Sequence, residues 1–261
     1  MLAEHLSLPL LRGAWLLVAA FLAGAINAMA GGGSFLSFPA MLGVGVPPIQ
    51  ANATNTVALW PGQAISIHGF RRDLADHTHL LWPVILAGGL GGTAGAIVLL
   101  HTGQSTFLHL IPWLLLVAAI LFWISGPLGN WIHHRSESSR PRQSKPLLFV
   151  CLTIVCFYIG YFGAGAGFLI MAILGLFGVQ NINEINALKV IGTTLANGLA
   201  VITFIFSGAV VWRHCLAAML MAAAGGFFGA KLARRIDDKI LRSFVVVLGF
   251  AMAAYFFWRL K

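Results

Sequence analysis

From Leu80 to Leu100 the chain runs without a charged side chain, and Phe107 to Gly126 carries only His109. Leu216 to Ala230 and Phe244 to Trp258 are equally uncharged. Each run lies near the ~20 residues that carry a helix across a bilayer core. These runs predict an all-α polytopic membrane protein. Composition agrees, with 59% hydrophobic and 9% charged residues and a mean hydropathy of +0.89, far outside the soluble norm. About eight to ten membrane segments fit in a chain of this length, and almost nothing else does.

The longest polar stretch, His133 to Lys145 (HHRSESSRPRQSK), reads as a linker rather than a domain. The formal charge of +9 is spread over loops, which suits topology and attraction to anionic headgroups rather than nucleic acid. The implied partners are a small solute and the lipid bilayer, and a homo-oligomer stays open. Cys151, Cys156 and Cys215 lie in apolar runs without metal or disulfide spacing. Trp15 to Ala30 could pass for a signal peptide, with Ala28-Met29-Ala30 as its cleavage site. A related segment recurs mid-chain, which argues that it is retained.

That recurrence is general. An offset of 133 residues places Gly32 on Gly165, Phe35 on Phe168, Leu36 on Leu169, Gly45 on Gly178 and Val46 on Val179. After one inserted residue the offset becomes 134, and Asn52-Ala53 meets Asn186-Ala187, Gly91-Gly92 meets Gly225-Gly226, and Gly95-Ala96 meets Gly229-Ala230. The expected organisation is a first transmembrane repeat over 1–130, a basic cytoplasmic linker over 131–145 and a second transmembrane repeat over 146–261. A duplicated apolar unit with a Gly-interrupted segment at matching positions points to a transporter.

Each repeat should hold four to five membrane segments. If the glycine breaks are kinks, each repeat crosses four times and the sixteen Lys and Arg divide ten inside to six outside. If they are reversals, Ser34–Val46 and Ala166–Val179 are short separate helices and each repeat has five segments. Twelve cations, namely Arg71, Arg72, Arg135, Arg140, Arg142, Lys145, Lys189, Lys231, Arg234, Arg235, Lys239 and Arg242, then face the cytoplasm. The positive-inside rule prefers this second arrangement, with inverted repeats and both termini outside. Helices of about 14 residues reach about 21 Å, short of a core about 30 Å thick, so they should dip in rather than span.

The broken segments carry the candidate site, expected between the two of them. Gly31, Gly32 and Gly33 in the first, and Gly163, Gly165 and Gly167 in the second, supply turns and leave the next helix with free N–H groups. Ser34 is placed to cap that helix or to donate to a ligand. Other glycines, Gly88, Gly92 and Ala96 or Gly225, Gly229 and Ala233, read as close helix packing. After each short helix comes a polar face: Asn52, Asn55, Thr56 and Gln63 at i, i+3, i+4 and i+11, and Asn186, Lys189, Thr193 and Asn197 at i, i+3, i+7 and i+11. The repeat matches Asn52 with Asn186 and Asn55 with Lys189. Pro61 is expected to loosen the first of these helices. A lysine near the midplane costs roughly 3 kcal/mol or more on insertion scales, which favours a substrate site over interhelical hydrogen-bond glue.

Acids are few. Of seven, only Glu184 approaches the embedded region, so no carboxylate relay for cations is visible. Helix N-termini, amides and one Lys suit an anion instead. The histidines show no paired ligand spacing, so neither a metal site nor a cofactor is expected.

At these motifs the chain resembles the TauE/SafE family of sulfite exporter and sulfonate-uptake permeases. The residues responsible are GAINAMAGGGSFLSFPAMLGVGVPPIQANATNTVA, from Gly24 to Ala58, and GYFGAGAGFLIMAILGLFGVQNINEINALKVIGTT, from Gly160 to Thr194. The resemblance implies a multi-pass carrier of the bacterial inner membrane for sulfite, sulfonates, sulfoacetate or related small anions. The family's proline after the glycines is present as Pro39, whereas the second repeat has Ala172. Two rivals remain: an intramembrane hydrolase with Ser34 as nucleophile and a histidine base, and a metal-ion permease.

Overall fold

The computed structural model describes residues 2–29, 32–67, 80–135, 144–165, 167–177, 179, 182–232 and 238–260. Among them are ten helices and no strand: α1 (Leu2–Met29), α2 (Ser34–Gly43), α3 (Pro48–Ser66), α4 (Leu81–His101), α5 (Gln104–Arg135), α6 (Lys145–Tyr161), α7 (Gly167–Leu176), α8 (Ile182–Phe206), α9 (Trp212–Leu232) and α10 (Asp238–Arg259). Five fall in each sequence copy, and the second of each five is short. This element count is compatible with the reversal arrangement.

The short helices are shorter than the sequence suggested. α2 and α7 have ten residues each, about 15 Å of helix at 1.5 Å per residue. At the end of α2, Val44 turns out of helical geometry and Gly45 adopts φ +88°. The Gly45 amide donates to the Leu42 carbonyl at 3.0 Å and Val46 to Met41 at 3.3 Å, closing the C-terminus before Val46. α7 closes similarly, with Phe177 donating to Ile173 and Val179 to Leu174, each at 3.0 Å. α3 begins at Pro48 and continues through Pro61 to Ser66 without a break in helical assignment. α5 runs to Arg135, into the stretch expected to be linker. The rest of that stretch, 136–143, lies outside the described residues.

Four helical segments among the described residues are long and apolar enough to cross a membrane: Leu11–Met29, Leu81–His101, Gln104–Ile124 and Glu184–Phe206. Large apolar side chains also lie outward, including Trp82, Leu90, Trp123, Ile154, Leu220 and Trp258. Such surface would drive aggregation in water and is the ordinary solvated face in lipid.

The helices group into two compact units. The first comprises residues 1–62, 102–116 and 204–261, the second 63–101 and 117–203. In the first, α1 packs along α9 and against α2, and α10 touches α2; in the second, α4 packs along α6, which also meets α7. Each long pairing joins a helix of one sequence copy to a helix of the other, so both units draw on both copies. The second unit's core gathers Val84, Leu152, Cys156, Ile159, Ile170, Leu174 and Leu188.

Backbone contact makes these pairings. A Cβ on Gly225 would collide with the Phe21 carbonyl, and one on Gly95 with the Phe157 carbonyl. Lipid tails are as apolar as leucine, so helices associate here through close van der Waals packing that small residues permit. The α4 stripe serves two neighbours: Gly88 and Gly92 face Gly192 and Ala196 of α8, while Gly91 and Gly95 face Thr153 and Phe157 of α6. Ala233 lies outside the described residues.

Candidate functional site

In the second unit, the chain leaves α6 through a turn in which Gly163 and Gly165 both take positive φ, 78° and 73°. An L side chain there costs roughly 1–2 kcal/mol. The amides of Phe162 and Gly163 both return to the Tyr158 carbonyl, at 2.9 and 3.1 Å, and the Tyr158 hydroxyl donates to the Ala164 carbonyl at 3.0 Å. One aromatic residue thus pins both sides of the turn, and α7 starts at Gly167.

α8 lays its polar face against that turn. The Lys189 ammonium donates to Asn186 Oδ1 at 3.0 Å. Its stem passes Gly167, where a Cβ would sit 3.5 Å from Lys189 Cδ and 3.7 Å from Thr193 Cγ2. Thr193 donates back to the Lys189 carbonyl at 2.9 Å. One turn further, Asn197 donates from Nδ2 to Gln63 Oε1 at 2.9 Å, and its Oδ1 lies 3.5 Å from where a Gly163 Cβ would be. Gly163, Gly167, Asn186, Lys189, Thr193, Asn197 and Gln63 therefore come together, whereas Gly165 packs on Ala118 and Phe122 of α5. Among the described residues no carboxylate lies within ion-pair distance of Lys189. Glu184 is buried in the first turn of α8, where the helix dipole favours a negative charge.

The first unit repeats this plan with different side chains. Gly32, aligned with Gly165, has φ +90°, so the two copies share the left-handed turn. Gly33 is the residue before α2, and no side chain caps that helix. Ser34 is therefore not the cap; it is the first helical residue, and its hydroxyl accepts from Asn55 Nδ2 at 3.3 Å. Asn52 and Asn55 are 2% and 3% exposed. Asn55 Oδ1 finds no donor among the described residues. Thr56 donates to the Asn52 carbonyl at 2.9 Å within its own helix. Gly31 lies outside the described residues. Gln63 lies on the same helix α3 as Asn52, Asn55 and Thr56, near its end, where it is grouped with the second unit.

Aligning the copies pairs Ser34 with Gly167 and Asn55 with Lys189. One copy holds Ser beside Asn, and the other Gly beside Lys, the smaller partner opposite the longer stem. Two polar anchors escaped the sequence reading. Thr54 is fully buried and accepts from the Val211 amide at 3.0 Å. Gln104 accepts from the Ile49 amide at 3.0 Å and donates to Gln50 at 2.7 Å. The periodicity that selected Asn52 and Asn55 passes over Thr54, and Gln104 acts across chain distance that no local pattern reports.

Relatives match over nearly their whole length. A "Probable membrane transporter protein" of Haemophilus influenzae is 28% identical over 237 residues, covering 90% of each chain. "Probable membrane transporter protein ORF9" of Sinorhizobium sp is 29% identical over 92% of this chain and 90% of its own. "Probable membrane transporter protein YfcA" of Escherichia coli K12 is 28% identical over 94% and 89%. No solved structure matches the chain significantly. Residues 16–256 match the sulfite exporter TauE/SafE family. With the duplicated glycine turns and apolar helices above, this match settles what the chain is: a membrane transporter, not an enzyme, belonging to the sulfite exporter TauE/SafE family.

Proposed function

We propose that the chain is a secondary carrier of small anions, namely sulfite, sulfonates, sulfoacetate or related sulfur oxyanions and organic anions, across the bacterial inner membrane. One observation carries the reading. Lys189 lies along the first residue of the broken helix α7, with Asn186 as its hydrogen-bond partner. A full positive charge beside the positive end of a helix is unfavourable by itself and becomes favourable when an anion joins them. Thr193 and Asn197 continue the polar face along α8 from it, with Gln63 bonded to Asn197, as groups suited to orienting a ligand. In the first unit Asn55 meets Ser34 at the start of α2, and Asn52, Thr56 and the Gly32-Gly33 turn are assigned to the matching arrangement.

The hydrolase alternative fares worse, because the Ser34 hydroxyl meets the Asn55 amide rather than an imidazole. The test is uptake of labelled sulfite and small sulfonates by proteoliposomes. Lys189→Ala should slow uptake tenfold or more, since a charged hydrogen bond is worth roughly 1.5–3 kcal/mol against about 1 for a neutral one. Unchanged rate and affinity in a Lys189→Ala protein of normal yield and thermal stability would reduce Lys189 to a topological anchor.

A further inference from the structure

The two copies offer chemically different ligand groups. In the second unit the position matching Asn55 is a cation. In the first unit it is a neutral amide whose nitrogen is committed to Ser34, and whose oxygen is buried and lacks a donor. An orphaned buried carbonyl carries a desolvation penalty that a ligand can relieve.

The neighbouring groups are donors. α2 has ten residues and no side-chain cap. Phe35 donates to the Gly32 carbonyl, and Leu36 and Ser37 donate to that of Gly33. The Ser34 N–H has no acceptor among the described residues. Because Ser34 Oγ accepts from Asn55, its own hydrogen is left to donate. A donor pair thus stands at the positive end of a helix, beside an acceptor that cannot change its charge.

We infer that the first unit holds a subsite for an oxyanion bearing a hydroxyl or acidic hydrogen: the anionic oxygen on the Ser34 N–H and hydroxyl, the ligand's O–H on Asn55 Oδ1. Hydrogensulfite and hydroxy-sulfonates have this pairing; a fully deprotonated oxyanion or a plain alkanesulfonate would turn lone pairs or a methyl group toward the amide oxygen. This deepens the anion-carrier reading and rests on it for transport. A site built to bond a ligand hydroxyl rejects the analogue lacking it, because the protein group is then left unpaired.

The probes are 2-hydroxyethanesulfonate and its near-isostere propane-1-sulfonate, offered to proteoliposomes holding the full chain. The wild-type protein should favour the hydroxyl compound about tenfold or more at low concentration. Asn55→Leu, which keeps the branched shape and removes the acceptor, should bring the two within about twofold. Ser34→Ala should weaken both while keeping the preference. Lys189→Ala should slow both in proportion, which marks the carrier reading separately from the subsite. Equal handling of the probes by the wild type overturns the inference, and is what a reversed Asn55 amide presenting only donors would give. A preference unchanged in Asn55→Leu of normal membrane yield overturns it too. If neither probe is carried, the carrier reading fails for sulfonates. The subsite is then decided by thermal stabilisation of the detergent-solubilised full chain, where the same preference and its loss in Asn55→Leu are expected, and equal stabilisation refutes it.

Discussion

Asn197 donates its amide to Gln63 at 2.9 Å across 134 residues of chain, and 134 is also the offset that lays the second copy over the first. The two residues are each other's counterpart. A contact between equivalent positions is self-complementary, the pattern that two-fold relations generate. Gln63→Leu and Asn197→Leu should therefore be non-additive. The coupling expected for a hydrogen bond in lipid averages about 0.6 kcal/mol and reaches about 1.7. Unfolding of both single variants and the double one measures it; strict additivity would show that the bond contributes nothing.

The left-handed turns predict an order of tolerance. Gly165→Asn should keep more anion uptake than Gly165→Val, and Gly32 should behave alike, because Asn enters the left-handed region more readily than a β-branched residue. The Val variants should lose about 1–2 kcal/mol of stability. Uptake at matched membrane yield checks the order. A reversed ranking would mean that space beside Ala118, not the dihedral, selects glycine.

Helix pairing can be tested away from the turns. Gly95→Val and Gly225→Val each place a branched side chain on a facing carbonyl, and both should sharply lower the yield of folded protein. Gly13→Ala is the control: nothing lies within 4 Å of its added Cβ, so stability should hold or rise by up to about 1 kcal/mol. Thermal denaturation in detergent reads all three.

The five-plus-five element count, with the twelve-to-four division of Lys and Arg, predicts inverted copies. A reporter fused after Lys261 should then be periplasmic, and one at Ser138 cytoplasmic. A cytoplasmic C-terminus would exclude this arrangement and restore four crossings per copy.

Much of the architecture was legible because membrane helices announce themselves by length and missing charge, as at Leu81–His101. The broken helices were legible because glycine repeats at Gly32 and Gly165, where the backbone needs a positive φ. The polar face of α8 also followed from periodicity, since one element carries Asn186, Lys189, Thr193 and Asn197. Helix ends were less so: α2 stops before Val46 because Gly45 caps it, and apolarity continues past the cap. Pairing was the least visible. Gly88 and Gly91 look alike in sequence yet serve different neighbours, and Ser34's role depended on Asn55 rather than on the helix it begins.

The pairing of α1 with α9 and of α4 with α6 has a consequence for biogenesis. Translation delivers α1 and α4 long before their mates, so each must wait in the bilayer with its glycine-lined or glycine-receiving face turned to lipid. Made alone, the first half lacks these partners; it is a template that the second half completes. Two fragments cut within 136–143 and made together should reassemble, while either made singly stays an unfinished client of the insertion and quality-control machinery.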